Sequence, residues 1–496
     1  MKPLTVEEIK QALHAAARTA VRPALVRRVC TDSREVQEGD LFVALRGDRF
    51  DGHQFVDAAA QHGAVAALVE GNLPETEAIR RAGMCVLKVG DSLEALGRLA
   101  RYYRRELQRS VRVVAVTGSA GKTTTREMIY HVLSRYKKGH RSPRNYNNAV
   151  GVPLTLLGME PDDEFAVVEI GTNAPGEVAA LSRIAEPDVA VITHVGPGHL
   201  AGLGDIDGVS REKLSIVAGL KDSGVLVCGL DHKATLERAR ALRRPMITFG
   251  VGLEADVCAV RVERNGTGMR FETNDRTVVE LPVGGEHNVK NALAALAVCR
   301  RLGLTTKQFA EAMRDFKPVG GRMVVRQVNG ITILDDTYNA NPSSMEAGLA
   351  ELVSRGVSGR RIFVCGDMNE LGPAAQAYHR ALGREVVAKG VDLLLTVGSQ
   401  AAWVAEAALE AGMGKASVQR CHNAKRMARL IKAMLHDEDT ILVKGSRAVG
   451  LETVVEALAR YRGGRPVVVR GRGSGHNDNG KKQGKRRPAG AGMQRV

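Results

Sequence analysis

The stretch from residue 111 to residue 126, VRVVAVTGSAGKTTTR, constrains the fold more than any other part of the chain. It opens with an apolar, β-branched run of the kind found in strands buried on both faces. The glycine-rich turn T-G-x-x-G-K-T-T follows, and a helix begins directly after it, so backbone N–H groups and the positive end of the helix dipole attract anions. The pattern predicts a phosphate-binding loop in a parallel α/β sheet, although Val116 occupies the place of the first glycine in the longer form of this motif.

Two side chains of this loop have predicted roles of their own. Lys122 stands where such loops place a phosphate-binding amine, and Thr123 stands where they place a hydroxyl that binds Mg²⁺. The residues predicted to surround the phosphates are Gly118, Ser119, Ala120, Gly121, Lys122, Thr123 and Thr124.

Length and pattern divide the rest of the chain. Its 496 residues exceed what one hydrophobic core supports, and three domains are expected. After residue 318 strands alternate with helices, which favours a doubly wound, mainly parallel sheet of Rossmann-like type. The predicted fold class is therefore α/β, with a small α/β N-terminal domain (1–108), a central P-loop domain with a parallel sheet (109–318), a C-terminal Rossmann-like domain (319–462) and a disordered basic tail (463–496).

The net charge of +16 suggests nucleic-acid binding, but the distribution of the charge argues against it. Residues 463–496 hold nine Lys or Arg and one Asp, which is half of the excess. This tail is rich in glycine and poor in large apolar residues, so we expect a solvated extension; a tether to polyanions or to a membrane surface is the alternative. Aromatic residues make up only 4% of the chain, so no stacking platform and no specific nucleic-acid partner are expected.

The cysteines and the N-terminal sequence indicate the compartment. Seven scattered cysteines show no zinc-ligand spacing, which predicts reduced thiols in the core. The start, MKPLTVEEIKQAL, has acidic residues where a signal peptide would be apolar, and no apolar run approaches the ~18–20 residues that span a bilayer. We therefore expect a cytoplasmic protein without a membrane span, and we expect it to be a monomer.

Two polar residues of the central domain, Glu169 and His199, are candidates for a metal or phosphate site. Glu169 ends a predicted strand beside the P-loop, where Mg²⁺ is commonly held; a surface acid is the alternative. His199 lies in the turn HVGPGHL (194–200), which suits a metal or a phosphate but equally an exposed histidine. Lys213 lies on a predicted amphipathic helix, where a lysine is usually a solvated charge on an apolar stem.

Further polar clusters lie at the start of a helix and in the two outer domains. GGEHNVKN (284–291) enters an alanine-rich helix with His287, Asn288 and Asn291, which suit capping or hydrogen bonds to adenine and ribose. In the C-terminal domain, clusters at 335–345, 366–372 and 444–447 follow predicted strands, where ligands bind in this architecture. In the N-terminal domain, turn formation is one interpretation of the polar residues of 31–55, and a nucleotide-sugar diphosphate site is the other; the candidates are Ser33, Arg34, Gly47, Asp51 and His53.

Taken together, these motifs resemble the Mur ligases of peptidoglycan synthesis. The resemblance covers roughly residues 25–460 and includes the P-loop, the Glu169 strand end, the Lys213 helix, GGEHNVKN and DDTYNANP. TDSREVQEGDLFVALRGDRFDGHQF, NYNNAVGVPLTLL, GDMNELG and KGSR resemble the members that join D-Ala-D-Ala to UDP-MurNAc-tripeptide. A DNPR-type loop that selects the amino acid in MurE enzymes is absent from the sequence.

This resemblance implies an ATP-dependent amide ligase that works through an acyl phosphate and releases ADP and phosphate. It implies that Lys122, Glu169, His199 and Lys213 are catalytic. Thr123 and Glu169 would hold one Mg²⁺, and His199 with a carbamylated Lys213 would serve a second. His287, Asn288 and Asn291 would lie beside adenine, and Arg322 and Asp336 would reach ATP when the third domain closes.

The resemblance also implies where the two other substrates bind. The UDP moiety would contact the five N-terminal candidates named above. The tripeptide and the dipeptide would be held by Asn147, Asn148, Tyr338, Asn339 and Asn341, with Asp367, Lys444, Ser446 and Arg447 as further candidates.

Two other classes of function remain open from the sequence. One is another ATP-dependent amide ligase of the same superfamily, MurE-like or folylpolyglutamate-synthase-like, against which the 31–55 stretch argues. The other is a nucleic-acid-binding P-loop protein, suggested only by charge. Ala174 and Pro175, and Asn369 within GDMNELG, depart from the family pattern and affect the substrate contacts rather than the expected activity.

Overall fold

The computed structural model describes residues 1–19, 23–47, 50–252, 254–356 and 358–460. The predicted basic tail, 463–496, lies outside the described residues. Within them the strands form three large sheets, one in each third of the chain, and two short ribbons. No helix of this described part combines the length and the apolar character needed to span a bilayer.

The N-terminal sheet has the order β2-β9-β8-β5-β4, in which only β2 runs antiparallel to its neighbour. Thr5 begins the first helix with a capping box to Glu8, and Asp91 caps the last helix. The elements are β1 Leu4–Thr5, α1 Val6–Leu13, β2 Ala16–Ala17, β3 Leu25–Val26, β4 Arg28–Cys30, β5 Asp40–Val43, β6 Arg46–Gly47, β7 Phe50–Asp51, α2 Val56–Gln61, β8 Ala66–Glu70, α3 Glu77–Ala82, β9 Cys85–Val89 and α4 Ser92–Tyr102.

A π-helical turn, Tyr103–Leu107, connects this part to the central sheet. The hydroxyl of Tyr103 donates to the carbonyl of Met159 at 2.8 Å. Arg104 forms an ion pair with Asp188 at 3.0 Å, and both side chains are buried. This pair helps to fix the orientation of the N-terminal domain, because separating the two groups would leave the buried Arg104 guanidinium without its carboxylate.

The central sheet has the order β11-β12-β10-β13-β14-β15-β16-β17-β18 and is parallel as far as β16. Its elements are β10 Arg112–Thr117, α5 Lys122–Leu133, β11 Gly139–Arg141, α6 Gly151–Leu157, β12 Phe165–Glu169, α7 Glu177–Ala185, β13 Val189–Ile192, α8 Leu200–Leu203, α9 Ile206–Leu214, β14 Val225–Gly229, α10 Lys233–Ala241, β15 Met246–Val251, β16 Val257–Asn265, β17 Gly268–Thr273, β18 Val278–Leu281, α11 Glu286–Arg301 and α12 Thr306–Met313.

Strand β10 is buried on both faces, as its sequence predicts. Val113 and Ala115 join the core cluster shared with α4 and α6, whereas Val114 and Val116 join the cluster formed with α5 and α11. The neighbours of β10 are β12 and β13, so the turn after β10 lies between the carboxyl ends of these two strands. All seven cysteines are free and buried, which confirms that prediction.

The C-terminal sheet has the order β19-β20-β24-β21-β22-β23 and is parallel except for β19, which confirms the predicted doubly wound arrangement. Because β20, β24 and β21 are adjacent, the three polar clusters predicted at their ends lie side by side. The elements are β19 Val324–Val328, β20 Ile331–Asp336, α13 Pro342–Ser354, β21 Arg361–Gly366, α14 Ala375–Ala388, β22 Leu393–Val397, α15 Ala401–Glu410, β23 Val418–Cys421, α16 Ala424–Leu430, β24 Thr440–Lys444 and α17 Glu452–Ala459.

Candidate active site

Two glycines of the loop after β10 sit where no side chain fits. Gly118 has φ +150°, and a Cβ there would lie 2.1 Å from the Thr193 hydroxyl oxygen. Gly121 has φ +83°, and a Cβ there would lie 2.2 Å from Asn291 Oδ1. The loop is therefore packed tightly against β13 and α11, which holds its backbone in a concave turn at the start of α5.

Lys122 is the first residue of α5 and is held over this turn. Its Nζ donates to the carbonyl of Gly118 at 2.7 Å. Burial lowers the pKa of Lys122, Glu169 opposes this, and Arg322 adds to it. A half-buried cation with one carbonyl partner can form further hydrogen bonds with an anion such as a phosphate group.

Thr123 and Glu169 form the centre of a polar network beneath the loop. The Thr123 hydroxyl donates to Glu169 Oε2 at 2.8 Å, and the carboxylate is almost fully buried. Arg126 of α5 donates to the same oxygen at 2.9 Å, and Asn147 Nδ2 donates to Oε1 at 2.9 Å. Arg126 was not predicted, because its importance depends on which face of α5 meets β12.

The C-terminal domain contributes a guanidinium group to this network. Arg322 Nη2 donates to the Thr123 hydroxyl at 2.8 Å. Its guanidinium carbon lies 4.0 Å from the ring centroid of Tyr338, a cation–π distance. Two cations, Arg322 and Lys122, thus face the same loop from different domains.

Asp336 and Lys444 form a pair at the ends of adjacent strands. Lys444 Nζ donates to Asp336 Oδ2 at 2.6 Å and to the carbonyl of Asn339 at 3.0 Å. The backbone N–H of Met323 donates to Asp336 Oδ1 at 3.1 Å. This pair fixes the segment that carries Tyr338 and Asn339 relative to Arg322.

Asn341 connects the C-terminal domain directly to the phosphate-binding loop. Its Nδ2 donates to the carbonyl of Ser119 at 3.0 Å, while its Oδ1 accepts from the N–H of Ser344 and so caps α13. One amide therefore both begins a helix of the C-terminal domain and contacts the loop of the central domain.

The first turns of α11 carry the predicted adenine-side residues. Burial lowers the pKa of His287. Asn288 Nδ2 donates to the carbonyl of Gly284 at 2.7 Å, and Asn291 Nδ2 donates to Asn288 Oδ1 at 3.0 Å. The two amides hold each other and place Asn291 against the loop glycine described above.

Asp231 is a cleft residue that sequence reasoning missed. It lies 2.8 Å from Lys290 Nζ, and its carboxylate is 3.8 Å from His194 Nδ1. The neighbouring His194 and the hydrogen bond from Lys290 lower the pKa of Asp231 to about 2. Its position in the sequence could have indicated this residue, because Asp231 follows the end of β14 much as Glu169 ends β12.

His199 faces the C-terminal domain. It has a left-handed backbone with φ +56°, and its Nδ1 lies 2.6 Å from Glu370 Oε2. Glu370 also has a left-handed backbone, with φ +65°, and the adjacent His199 lowers its pKa. Two strained residues from different domains thus meet at one edge of the cleft.

Lys213 is fully buried, so the interpretation as a solvated surface lysine is wrong. Its Nζ finds no hydrogen-bond partner within the described part of the chain. Burial lowers the pKa of Lys213 well below its usual value, the charge of Lys122 adds to this, and Glu212 and Glu177 oppose it. Helix α9, which carries Lys213, packs against α7, α8 and α10, and amphipathic periodicity did not reveal these neighbours.

A cleft of about 1150 Å³ lies between the central and C-terminal domains and brings most of the predicted residues together. The predicted residues that line it are Ser119, Ala120, Gly121, Lys122, Thr123, Thr124, Asn147, Asn148, Glu169, His199, His287, Asn288, Asn291, Arg322, Asp336, Tyr338, Asn339, Asn341 and Lys444. Within the described ranges, those outside its lining are Gly118, Lys213, Asp367, Ser446, Arg447 and the five N-terminal candidates.

Three residues outside the lining organise the loops behind the cleft. Ser446 Oγ accepts from the N–H of Asn369 at 2.9 Å, and Asp367 Oδ1 accepts from the N–H of Ala401 at 2.6 Å. The guanidinium carbon of Arg447 lies 5.3 Å from the Tyr338 ring centroid.

The five N-terminal candidates lie in the N-terminal domain, outside the lining of the cleft. Asp51, beside Gly47 on the β6–β7 ribbon, lies 2.5 Å from His53 Nδ1. His53 Nε2 accepts from the N–H of Glu70 at 2.8 Å, which fixes the ring. Arg34 is exposed, and its hydrogen bonds lower the pKa of neighbouring Asp32 to about 2. The backbone carbonyl of Ser33 accepts a hydrogen bond from the ring of His62.

The donor set near the loop fits Mg²⁺ bound together with a nucleotide. No group of three or more His, Cys, Asp or Glu side chains is arranged to hold a metal within the described residues. Mg²⁺ usually takes one or two protein oxygens and completes its octahedron with phosphates and water. The Thr123 hydroxyl and the Glu169 carboxylate, next to the glycine turn, supply oxygens of that kind.

These features define a P-loop nucleotide-binding protein whose cleft is closed by a second α/β domain. The Mur ligase family, catalytic domain, matches residues 25–104; the Mur ligase middle domain matches 116–299; and the Mur ligase, glutamate ligase domain, matches 321–447. This chain belongs to the Mur ligase family.

Curated relatives align with most of this chain. The UDP-N-acetylmuramoyl-tripeptide--D-alanyl-D-alanine ligase of Bacillus subtilis is 36% identical over 88% of this chain and 93% of its own length. The enzyme of the same name from Escherichia coli is 36% identical over 87% of this chain and 93% of its own length.

Solved structures agree with the fold. MurF from Acinetobacter baumannii superposes with a TM-score of 0.84 at 32% identity, over 92% of this chain and 99% of that one. MurF ligase from Thermotoga maritima, solved in complex with ADP, gives 0.78 at 30% identity, over 88% and 98%. The predicted three-domain α/β architecture is confirmed.

Proposed function

We propose that this chain joins D-Ala-D-Ala to UDP-MurNAc-tripeptide with ATP, giving UDP-MurNAc-pentapeptide, ADP and phosphate. The observation that carries the proposal is the cleft in which Lys122 and Thr123 of the central domain meet Arg322 of the C-terminal domain. Relatives that carry the name of this ligase span nearly the whole described chain, which supports the choice of substrates.

The reaction has two steps. The terminal carboxylate of the tripeptide attacks the γ-phosphorus of ATP, the bond to ADP breaks, and an acyl phosphate forms. The amine of D-Ala-D-Ala then attacks the acyl carbon, loses a proton, and expels phosphate as the amide forms. Activation is needed because oxide is a very poor leaving group, whereas phosphate leaves readily.

The chain contributes positioning and positive charge to both steps. Lys122 and the loop N–H groups bind the β- and γ-phosphates, and Arg322 neutralises charge from the opposite wall. Domain closure limits the access of water, which would otherwise hydrolyse the acyl phosphate. His287, Asn288 and Asn291 line the adenine side of the cleft, and Asp336 orients the strand end beside it.

Thr123 and Glu169 would hold one Mg²⁺. When bound, this ion neutralises phosphate charge and acts as a Lewis acid. Arg126 and Asn147 keep the Glu169 carboxylate in place through the hydrogen bonds described above.

His199 and Lys213 would serve a second Mg²⁺ once Lys213 is carbamylated. Its Nζ is buried without a partner in the described part of the chain, and its lowered pKa favours the neutral amine that reacts with CO₂. The amine nitrogen bonds to the carbon of CO₂ and releases a proton, so a cation becomes a carboxylate-like ligand.

The three parts of the chain have separate tasks in this proposal. Residues 1–108 bind the UDP moiety, 109–318 bind ATP, and 319–462 close the cleft and hold the peptide ends. Asn147, Asn148, Tyr338, Asn339 and Asn341, which line the cleft, contact the tripeptide and the dipeptide. The expectations of a cytoplasmic and monomeric protein, and of a solvated tail, stay predictions.

The test is a turnover assay with ATP, Mg²⁺, UDP-MurNAc-tripeptide and D-Ala-D-Ala. We expect phosphate release that requires both peptide substrates, and a pentapeptide product seen by mass spectrometry. Lys122→Ala should abolish it. Release that depends on a free amino acid or glutamate instead of the dipeptide would indicate a MurE-like or folylpolyglutamate-synthase-like enzyme, and no substrate-dependent release would overturn the proposal.

A further inference from the structure

Helix α13 contacts the central domain at both of its ends. Its N-terminal end is held by Asn341, whose side chain donates to the phosphate-binding loop. Its C-terminal end is held by Glu351, whose carboxylate faces Arg264 of strand β16. Asn341 and Glu351 are ten residues apart, so the two contacts lie about 15 Å apart along the helix.

The contact between Arg264 and Glu351 is bidentate and largely buried. Arg264 Nη1 donates to Oε1 at 2.9 Å and Nη2 to Oε2 at 2.8 Å. The Glu351 side chain is 1% exposed and that of Arg264 is 26% exposed. Parallel N–H bonds from one guanidinium to one carboxylate fix both distance and orientation, so the pair forms only in one relative position of the two domains.

Neighbouring groups add to the same junction. Arg355, on α13's C-terminal side, donates to Glu351 Oε1 at 2.9 Å and 2.7 Å and also reaches the carbonyl of Thr267 at 3.2 Å. A Cβ on Gly284 would lie 2.4 Å from Glu351 Oε1. The loop that begins α11, and with it the adenine side of the cleft, therefore packs directly on the Glu351 carboxylate.

We propose that Arg264 and Glu351 are a positioning pair that couples nucleotide binding to closure of the C-terminal domain. The pair sets the far end of α13, and the rigid helix then places Asn341 on the loop. Arg322, which belongs to the same domain, lies beside Thr123 in this position. This inference rests on the proposed function only in that the cleft is taken as the ATP site. Neither residue is assigned a contact with the reacting atoms.

The test compares Arg264→Met with Arg270→Met. Arg270 of β17 is the matched control, because its ion pairs with Glu263 and Glu280, both at 3.2 Å, stay within the same β-hairpin region. Closure is measured by small-angle X-ray scattering of the full chain with Mg²⁺ and a non-hydrolysable ATP analogue. We expect the wild type and Arg270→Met to become compact, and Arg264→Met to stay extended.

Kinetics provide a second readout that a purely structural role would not change. Loss of the coupling should weaken binding of the ATP analogue by about 5- to 150-fold, the usual range for coupled sites, and raise the KM for ATP more than that for the dipeptide. Arg264→Lys keeps the positive charge but cannot form the two parallel hydrogen bonds to Glu351. Its affinity for the ATP analogue should therefore lie between those of the wild type and Arg264→Met. Melting temperatures taken in parallel identify any variant that is merely unfolded.

The outcomes are distinguishable. If folded Arg264→Met closes and binds the analogue like Arg270→Met, the inference is wrong; if Arg264→Met does not fold, Arg264→Lys decides by the same two measurements. Scattering and analogue binding need no peptide substrate. The two tests are therefore independent. A chain with a different amide-forming activity would fail the turnover assay of the proposed function, and the scattering and binding measurements would still decide whether the coupling exists.

Discussion

Gly121→Ala tests whether the geometry of the phosphate-binding loop controls ATP use. An alanine there must adopt φ +83°, which costs about 1–2 kcal/mol. Its Cβ would also lie 2.2 Å from Asn291 Oδ1, so Asn291 must move and its 3.3 Å hydrogen bond from Thr125 is lost, at about 1 kcal/mol. The total of about 2–3 kcal/mol, if expressed in the transition state, lowers kcat/KM for ATP by about 30- to 160-fold.

Gly303→Ala is the matched control for this change. Gly303 has φ +93°, a Cβ there meets no described atom within 4 Å, and it follows α11, the helix that carries Asn291. The control should lose about 1–2 kcal/mol of unfolding free energy from backbone strain but keep kcat/KM within about twofold. Phosphate release at varied ATP and urea denaturation measure the two quantities. If Gly121→Ala keeps wild-type kcat/KM while Gly303→Ala shows the expected strain, the packing argument is refuted.

Three further substitutions test other parts of the account. Lys213→Ala should lower the ligase rate by about 10- to 100-fold, and acetate or formate should restore part of it; complete insensitivity to these acids would contradict carbamylation. Burial lowers the pKa of His379, whose Nε2 accepts from the N–H of Met368 at 3.0 Å. The pKa of His379 in the folded protein thus lies below the unfolded value of about 6.5. Its contribution to stability is therefore complete above that pH and is lost as the pH falls further. In His379→Gln the urea midpoint should vary less with pH between about pH 7 and pH 5, and an unchanged slope of midpoint against pH would refute this. Arg104→Met should cost about 3 kcal/mol of unfolding free energy, because Asp188 loses a buried partner; a loss under about 1 kcal/mol would show that the other donors to Asp188 suffice.

Local pattern predicted much of the fold and part of the site. The loop at 118–124 was predictable because its strand, glycines and helix start are contiguous. Glu169 was predictable because it ends a strand, and the clusters of the C-terminal domain were predictable because their parallel strands end at one edge. In each case a short sequence determines both the element and the end at which the side chain lies.

The parts that could not be predicted depend on contacts between distant elements. Arg264 and Glu351 are 87 residues apart, and Lys290 and Asp231 are 59 apart, so no spacing rule connects them. The burial of Lys213 was also unpredictable from periodicity, because the neighbours of α9 decide whether its lysine reaches water. The structure thus contradicts the interpretation of Lys213 as a solvated surface lysine. The metal-binding roles of His199 and Lys213 are proposals.

The central claim is that a carboxylate is activated by phosphoryl transfer in this cleft, and oxygen tracing tests it most directly. The tripeptide substrate is prepared with both oxygens of its terminal carboxylate labelled with ¹⁸O and is turned over with ATP, Mg²⁺ and D-Ala-D-Ala. Mass spectrometry should find one ¹⁸O in each phosphate released and one in the new amide carbonyl. Phosphate free of ¹⁸O, alongside normal product formation, would contradict the account.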